Sequence, residues 1–479
     1  MTPQSPFHGY PALVLSPNIP SDADASSARE QIKIAENELH KLDLELSLIL
    51  ARRSVIMSHI NRCRMVIAPY KKLPSELIRK IIVLCVPEVE SENATPGKEY
   101  YSSRLRVTQI CTTWRKIAFD ESALWDVSIY PLGRLVDLAE SWFRQSSCSS
   151  LGLTVRRESV YTDTFNFGSL SPVVNRVITP YSKRLKTLGM IVNESLLKSV
   201  LSLTLDSLLS MSLVLDYKDD EWKVSDLPIS KPTPSLRSLT LSIPPGFSDE
   251  RFFLALPLPQ LSRIKLTSRI SASIVPGILG QCHSLEECTI IAVYQAEFST
   301  FPTPKSSIFL PHLRKLTILF GSYDAEPLLC SFEVPNLSSL MTNIDFSSPR
   351  FRSFFRQLSN IHCITIHGIG IRGSFIDENI LSSIPNLVMF RTGPYPIPPL
   401  ALIKIGTGDL LPKVEHLKFP ESNRQFILDM LNARSLAVQA RPGEISPIKR
   451  IVINGAGVEG TYKESFDILR SQGTEINFV

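Results

Sequence analysis

The sequence predicts an α/β repeat fold in which a long amphipathic helix and a small all-α module precede an array of short strands with returning helices. Apolar residues recur at spacings of three and four over residues 32–63, and two short helical patterns follow within residues 73–125. From residue 185 onward the pattern Leu-x-x-Leu-x-Leu recurs. The predicted boundaries are 1–28 for a disordered N-terminal segment, 29–67 for the long helix, 68–125 for the module and 126–479 for the array.

The N-terminal segment is rich in Pro, Ser and small polar residues, which favours disorder. The helix after it has an apolar seam at heptad spacing, interrupted by one arginine. The seam consists of Ile32, Ala35, Leu39, Leu42, Leu46, Ile49, Arg53, Ile56, Ile60 and Cys63. Further apolar residues widen the stripe, which favours packing of the helix onto the module that follows it. The alternative is pairing with a second copy of the helix. Acidic residues are concentrated early in the helix and basic residues late, which favours an antiparallel pair.

The module begins with a helix-start pattern at Leu73-Pro74-Ser75-Glu76, after which apolar residues continue at helical spacing. A second apolar stripe predicts one continuous helix from Val107 to Ala118, and Leu124-Trp125 closes the unit. So few helices cannot bury all of this apolar surface in a core of their own. Part of the surface is therefore expected to face a neighbour or a partner.

Three separated clusters of the module, the LP-x-E start, the Cys-x-x-Trp of its second helix and the terminal Leu-Trp, resemble the F-box-like domain of mushroom-forming fungi. The resemblance covers residues 73–125, about a tenth of the chain. It implies docking on the Skp-family adaptor of a cullin–RING ubiquitin ligase. The residues expected to contact the adaptor are Leu73, Pro74, Leu77, Ile78, Ile81, Ile110, Cys111 and Trp114.

The array resembles degenerate leucine-rich repeats, because its Leu-x-x-Leu-x-Leu segments start mostly 23 to 28 residues apart. The starts are Leu185, Leu208, Leu236, Leu261, Leu285, Leu313, Leu337, Ile361, Leu387, Val414 and Ile448. Two earlier candidate strands lie at residues 127–129 and 151–155. The Asn or Cys that normally ends the strand of such a repeat is mostly missing, which predicts an irregular solenoid.

Composition and motifs exclude several classes of function. A net charge of +5 is too small to indicate a nucleic-acid-binding protein, and no apolar run is long enough to predict a membrane span or a signal peptide. Eight scattered cysteines favour a reducing compartment, so a cytoplasmic or nuclear location is expected. No phosphate-binding, metalloprotease or nucleophile-elbow motif occurs, and the cysteines and histidines near residues 282–288 and 362–367 lack zinc-ligand spacing. The sequence therefore predicts no catalytic activity, no metal site and no cofactor.

The predicted function is therefore a substrate receptor whose module docks the adaptor while the repeat array holds a protein client. Strand alternation places the third, fifth and seventh residues of each repeat on the predicted concave face, where cations predominate. The candidate client-binding residues are Arg263, Lys265, Lys315, His367, Arg391, His416, Lys418 and Arg450. Such a face favours an acidic or phosphorylated client. The alternatives are a ligase-independent scaffold and, with no motif in its favour, an enzyme.

Overall fold

A computed structural model of the chain describes residues 21–67, 73–85, 106–129, 133–147, 150–155, 170–215, 233–243, 251–254, 256–267, 274–293, 307–320, 326–343, 351–367, 376, 378–393, 397–419, 424–454 and 462–478. The chain divides into two compact units, Met1–Ile81 and Ile82–Val479. The N-terminal segment expected to be disordered lies outside the described residues as far as residue 20.

Helix α1, Asp22–Ile67, is 46 residues long and begins earlier than the sequence analysis predicts. Its start is fixed by a capping box, since the Asp24 N–H donates to the Ser21 hydroxyl at 3.3 Å and the Ser21 N–H donates to the Asp24 carboxylate at 3.2 Å. Alanines within this first part are strong helix formers. The predicted boundary at residue 29 is therefore wrong, and residues 22–28 belong to the helix.

The module contains α2, Ser75–Leu84, a helical stretch at residues 106–109, α3, Thr112–Asp120, and a 3-10 turn, Ser122–Trp125. The continuous helix predicted from Val107 to Ala118 is wrong, because Cys111 adopts an extended conformation and caps α3. The Arg115 side chain bridges the break by donating from Nε to the Thr108 carbonyl at 2.9 Å. The apolar spacing is preserved across the break, which explains why the sequence pattern does not reveal it.

Beyond the module the described residues form a parallel sheet of fourteen strands, in which each strand pairs with the next one of the sheet along the chain. Its strands are β1 Asp126–Ile129, β2 Leu151–Val155, β3 Leu185–Val192, β4 Ser210–Leu215, β5 Ser238–Ser242, β6 Arg263–Thr267, β7 Glu287–Val293, β9 Lys315–Phe320, β11 Ser339–Thr342, β12 Cys363–Ile366, β13 Met389–Thr392, β14 His416–Phe419, β15 Arg450–Ile453 and β16 Glu475–Phe478. Strands β8, Ile308–Phe309, and β10, Phe332–Glu333, form a separate parallel pair.

Helices occur in most of the described connections between these strands, because parallel strands need a crossover connection and an α-helix is the usual one. They are α4 Gly133–Gln145, α5 Ser171–Val173, α6 Thr179–Tyr181, α7 Glu194–Leu201, α8 Arg251–Leu254, α9 Val275–Leu279, α10 Glu326–Cys330, α11 Phe351–Arg356, α12 Glu378–Ser382, α13 Pro399–Thr407, α14 Arg424–Ala440 and α15 Lys463–Ser471. A π-helical turn, Val174–Ile178, joins α5 to α6, and a 3-10 turn, Leu258–Gln260, precedes β6.

Every predicted repeat start lies at or two residues before a strand of the sheet. In the repeat around β5, Leu236, Leu239 and Leu241 are fully buried, while the alternate residues Ser238 and Thr240 are half-buried. This alternation is the strand periodicity of two, and it directs one face of each strand into the core. Strand β16 was not predicted, and it adds one strand to the end of the array.

Asparagine side chains connect the turns that precede neighbouring strands. Asn336 donates to the Pro311 carbonyl at 2.7 Å, and Asn360 donates to the Pro335 carbonyl at 3.2 Å. Asn386 repeats the contact one strand further on. Each of these bonds spans one repeat, so the amides form a ladder on the side where the strands begin. These three asparagines therefore stand before the strands of the sheet, three residues ahead of β11, β12 and β13.

The region between β13 and β15 is organised around a buried arginine of α14. The Arg434 side chain is 2% exposed, and it donates to backbone carbonyls at the end of α13 and in the turns before β14 and β15. Burial lowers the pKa of Arg434 to about 10, and the charge of Arg441 lowers it further. One of the turns that it holds contains Leu411 at a φ of 50°, an uncommon conformation for a leucine.

Candidate functional site

Helix α2 carries a buried apolar stripe and an exposed one. Ile78 and Ile82 are 2% and 0% exposed, whereas Leu77 is 46% exposed and Leu84 is 84% exposed. Ile81 is half-buried and lies between the two leucines at helical spacing, so these three residues share one face of the helix. An exposed apolar stripe on a short helix is typical of a surface that receives a partner.

The start of α2 is set by the residues of the predicted docking motif. The Pro74 carbonyl accepts the N–H groups of Leu77 and Ile78, both at 3.1 Å, and Pro74 itself is exposed beside the half-buried Leu73. Hydrogen bonds from the backbone N–H of Glu76 and then from the Ser75 hydroxyl lower the pKa of the Glu76 carboxyl. A negative charge in the first turn of a helix is favourable, so this sequence fixes where α2 begins.

The remaining predicted docking residues divide between surface and core. Ile110 is 41% exposed and Cys111 is half-buried, whereas Trp114 is only 5% exposed. A buried side chain cannot contact a partner without unfolding its surroundings, so Ile78 and Trp114 are corrected from docking residues to core residues. Leu84 was missed, although its spacing from Leu77 and Ile81 follows the same helical face.

The end of the module packs against the first helix of the sheet region. Trp125 donates its indole N–H to the Ala118 carbonyl at 2.9 Å, and its ring lies edge-on to that of Trp142 on α4, with the centroids 5.5 Å apart. Helix α4 is therefore one of the neighbours that the apolar surface of the module faces.

Two rows of side chains cross the partly exposed face of the sheet, because the parallel strands are in register. The first row consists of Arg263, Glu287, Lys315, Ser339, Cys363, Met389, His416, Arg450 and Glu475. The second row consists of Lys265, Thr289, Thr317, Met341, Thr365, Arg391, Lys418, Val452 and Asn477. Seven of the eight residues proposed from the sequence to bind a client lie in these rows, and His367 lies just after β12, where it is exposed.

The first row is largely neutralised by its own acids. Lys315 pairs with Glu287 at 2.8 Å, and Arg450 lies 3.5 Å from Glu475 of the unpredicted strand β16. Glu475 is therefore a second acidic residue on this face, beside Glu287. Exposed ion pairs of this kind contribute little to stability, but they leave less charge for a partner.

The second row carries three cations and no acid over the described strands β6 to β16. Arg391 and Lys418 lie opposite each other on the neighbouring strands β13 and β14. Among the residues that the structure describes, neither side chain forms an ion pair with a carboxylate. Adjacent parallel strands lie about 4.8 Å apart, which is close enough for both cations to contact one anionic group.

The cysteines near residue 282 belong to the core. Cys282 and Cys288 are 0% and 1% exposed, and the Cys282 thiol donates to the Ile278 carbonyl at 3.3 Å. Burial raises the pKa of the Cys282 thiol to about 12 and raises the pKa of Cys288 as well. Neither thiol is poised to ionise. Within the described residues, no group of three His, Cys, Asp or Glu side chains is arranged to hold a metal ion.

No protein family model matches this chain, and no curated protein matches it either. No helix in the described part of the chain has both the length and the apolar character needed to cross a membrane.

Proposed function

We propose that the sheet region is an irregular leucine-rich-repeat solenoid and that the chain is the substrate-recognition subunit of a Skp–cullin–F-box type ubiquitin ligase. The single observation that carries the docking half of the proposal is the exposed apolar stripe of α2, since it begins at the Leu-Pro motif of the F-box-like resemblance. One strand per repeat, parallel pairing in chain order and the inward leucines support the repeat assignment.

The residues proposed to contact the Skp-family adaptor are the accessible members of the predicted set together with Leu84. They are Leu73, Pro74, Leu77, Ile81, Leu84, Ile110 and Cys111. Removing such apolar side chains from water on binding is the main favourable contribution to a helix-to-helix interface. A few of these contacts are expected to dominate the affinity.

A charge introduced into the stripe tests this surface. Leu77→Asp places a carboxylate in the proposed interface while leaving the buried stripe of α2 intact, so adaptor affinity should fall by about 2 kcal/mol or more. Leu436→Asp is the matched control, because Leu436 is 68% exposed on α14, outside the proposed docking residues. Both variants should keep the wild-type circular dichroism spectrum.

Calorimetry of the full chain with the purified adaptor measures the effect. Equal affinities for the wild type and Leu77→Asp would remove α2 from the interface. If Leu436→Asp weakens adaptor binding as much as Leu77→Asp does, the effect is not specific to the stripe.

The partly exposed sheet face is proposed to bind the client, through an acidic or phosphorylated segment. The second row supports this, because it has no acidic residue over the described strands β6 to β16 and, among the described residues, Arg391 and Lys418 form no ion pair with a carboxylate. A field of one sign concentrates anions. Arg391 offers a planar guanidinium that can bind two oxygens at once, and Lys418 adds a point charge on the next strand.

Reversing the charge of Arg263, Lys265, Arg391 and Lys418 to Glu together should abolish binding to acidic and phosphorylated peptide arrays while leaving adaptor affinity unchanged. The control reverses Lys183, Lys413, Lys449 and Lys463, which changes the net charge equally but lies outside the two rows. Binding by the wild type should also weaken as salt is raised. Retained peptide binding by the row variant would show that this face is not the client site.

A ligase-independent scaffold is the second candidate, and the packing of Trp125 on Trp142 favours it. In that case the module serves to cap the repeat array and needs no adaptor. Purification of the full chain from its own cells distinguishes the two functions, because a scaffold recovers its partners with no Skp-family adaptor among them.

A further inference from the structure

The surface of α1 is unusually apolar for an exposed helix. Its described side chains are all exposed or half-buried, including Leu39 at 61%, Leu46 at 54% and Ile49 at 62%. With a rise of 1.5 Å per residue, the helix is roughly 69 Å long. Apolar residues exposed along such a length indicate a surface that another molecule covers.

The apolar residues of α1 form a seam that the observed helix extends in both directions. Because α1 begins at Asp22, Ala25 and Ala28 continue the heptad spacing before Ile32, and Ile67 continues it after Cys63. The spacing of three and four residues is then kept through six heptads, from residue 25 to residue 67. A seam of this period is buried by a second helix that supercoils around the first.

The charges of α1 are separated along its length. Residues 22–47 contain seven acidic and three basic residues, whereas residues 48–67 contain four arginines and no acidic residue. Two parallel copies would place acidic halves together and basic halves together. Two antiparallel copies place each acidic half beside a basic half, so attraction replaces repulsion along the whole contact.

We propose that α1 joins two copies of this chain through an antiparallel helix pair that buries the seam. Arg53, the one charged residue of the seam, then lies opposite the acidic half of the other copy, where Asp43 and Glu45 flank the seam. A charged residue at a seam position disfavours registers that leave it without a partner, so Arg53 helps to fix the register. The pairing brings two sheet faces into one assembly, which raises the avidity for a partner with two binding segments.

Charge reversal tests the pairing in the full chain. Changing Arg52, Arg53, Arg62 and Arg64 to Glu makes both halves of α1 acidic, and the dissociation constant of the dimer should rise at least tenfold. Adding Glu36→Arg, Glu38→Arg, Asp43→Arg and Glu45→Arg to that variant exchanges the two halves and should restore the dimer. The restored variant also controls for misfolding, because it carries every substitution of the first. Light scattering across a concentration series measures the mass, and circular dichroism checks the helix.

Cys63 reports the orientation, since it lies in the seam. A parallel pair holds the two Cys63 thiols side by side, where mild oxidation links them, whereas an antiparallel pair separates them by roughly 45 Å. Wild type should therefore give no more disulfide-linked dimer than Cys63→Ser. Ile32→Cys should give a linked dimer that disappears when Cys63→Ser is added. A monomeric wild type, a link that depends on Cys63 in the wild type, or an exchanged variant that stays monomeric would overturn the proposal.

Discussion

Replacing Arg434 with methionine is expected to destabilise the region of α13 and α14 by about 3 to 5 kcal/mol. The guanidinium donates from Nε to Ser446 at 2.9 Å, from Nη1 to Ile405 at 2.8 Å and from Nη2 to Pro412 at 2.7 Å. Longer bonds from Nη2 reach two more carbonyls of the turn before β14. Methionine fills much of the same volume but donates to none of these acceptors.

The expected loss of stability is smaller than the sum of the free energies of the individual hydrogen bonds. Each hydrogen bond to a charged group contributes about 1.5 to 3 kcal/mol, so five of them would exceed the predicted value. The lowered pKa of Arg434 shows that burial disfavours its charge, and removing that unfavourable contribution offsets part of the loss. Arg434→Lys keeps a charge but lacks the planar array of donors, so it should be destabilised nearly as much.

Hydrogen exchange with mass spectrometry measures the effect locally. At about 1.4 kcal/mol for each factor of ten, the amides of α13, α14 and β14 should exchange on the order of a hundredfold faster or more. Arg441→Met is the matched control, because its side chain is 44% exposed and lies 3.7 Å from Asp409. It should change stability by less than about 1 kcal/mol. If the amides of α13, α14 and β14 exchange at the wild-type rate in Arg434→Met, this arginine does not organise the region.

Three further predictions concern the core, the turns and the helix start. Cys282 and Cys288 should resist a thiol reagent at pH 8 while the exposed Cys63 reacts, and rapid labelling of the buried pair in the folded chain would contradict their assignment to the core. Burial raises the pKa of Cys282 to about 12 and raises the pKa of Cys288 as well, so the stability that their protonated thiols contribute is complete well below pH 9 and decreases as the pH rises above it. Asn360→Ala should destabilise its turn by about 1 kcal/mol, seen as faster exchange of the amides at the start of β12, and wild-type exchange there would argue against the ladder. Ser21→Ala should weaken the start of α1 by about 1 kcal/mol, and unchanged exchange of its first amides would show that the capping box is not needed.

Most strands of the sheet were predictable because the apolar pattern that indicates each of them is local. Each strand carries its own buried apolar residues at alternate positions, so the pattern Leu-x-x-Leu-x-Leu is enough to locate eleven strands. Strand β16 was missed because Gly473 stands at the position, two residues before the strand, where the pattern would begin with an apolar residue. Only Ile476 and Phe478 remain to indicate a strand there, and two alternating residues are too few for a periodicity.

Features that depend on backbone conformation or tertiary contacts could not be predicted from apolar spacing. The break at Cys111 leaves the stripe from Val107 to Ala118 unchanged, so the pattern of a single helix was misleading. The capping box at Ser21 was present in the sequence, but the polar composition of the surrounding residues led to a prediction of disorder there. The carbonyls that hold Arg434 lie between residues 405 and 446, and only folding brings them together.

The sequence predicts that the candidate docking residues are apolar, but it does not predict which of them are exposed. Helical spacing places Ile78 and Leu77 equally well in an apolar stripe, and only the packing decides that Ile78 is buried and Leu77 exposed. For the sheet face, strand alternation located the cations correctly. The neutralising role of Glu475 could not be predicted without β16.

The most direct test of the proposed receptor is affinity purification of the full-length chain from its own cells, with mass spectrometry of the proteins that remain bound. The wild type should recover a Skp-family adaptor together with a cullin, and Leu77→Asp should lose both. Leu436→Asp should recover both at wild-type levels. Absence of the adaptor from the wild-type sample, or equal recovery by Leu77→Asp, would contradict the proposed function.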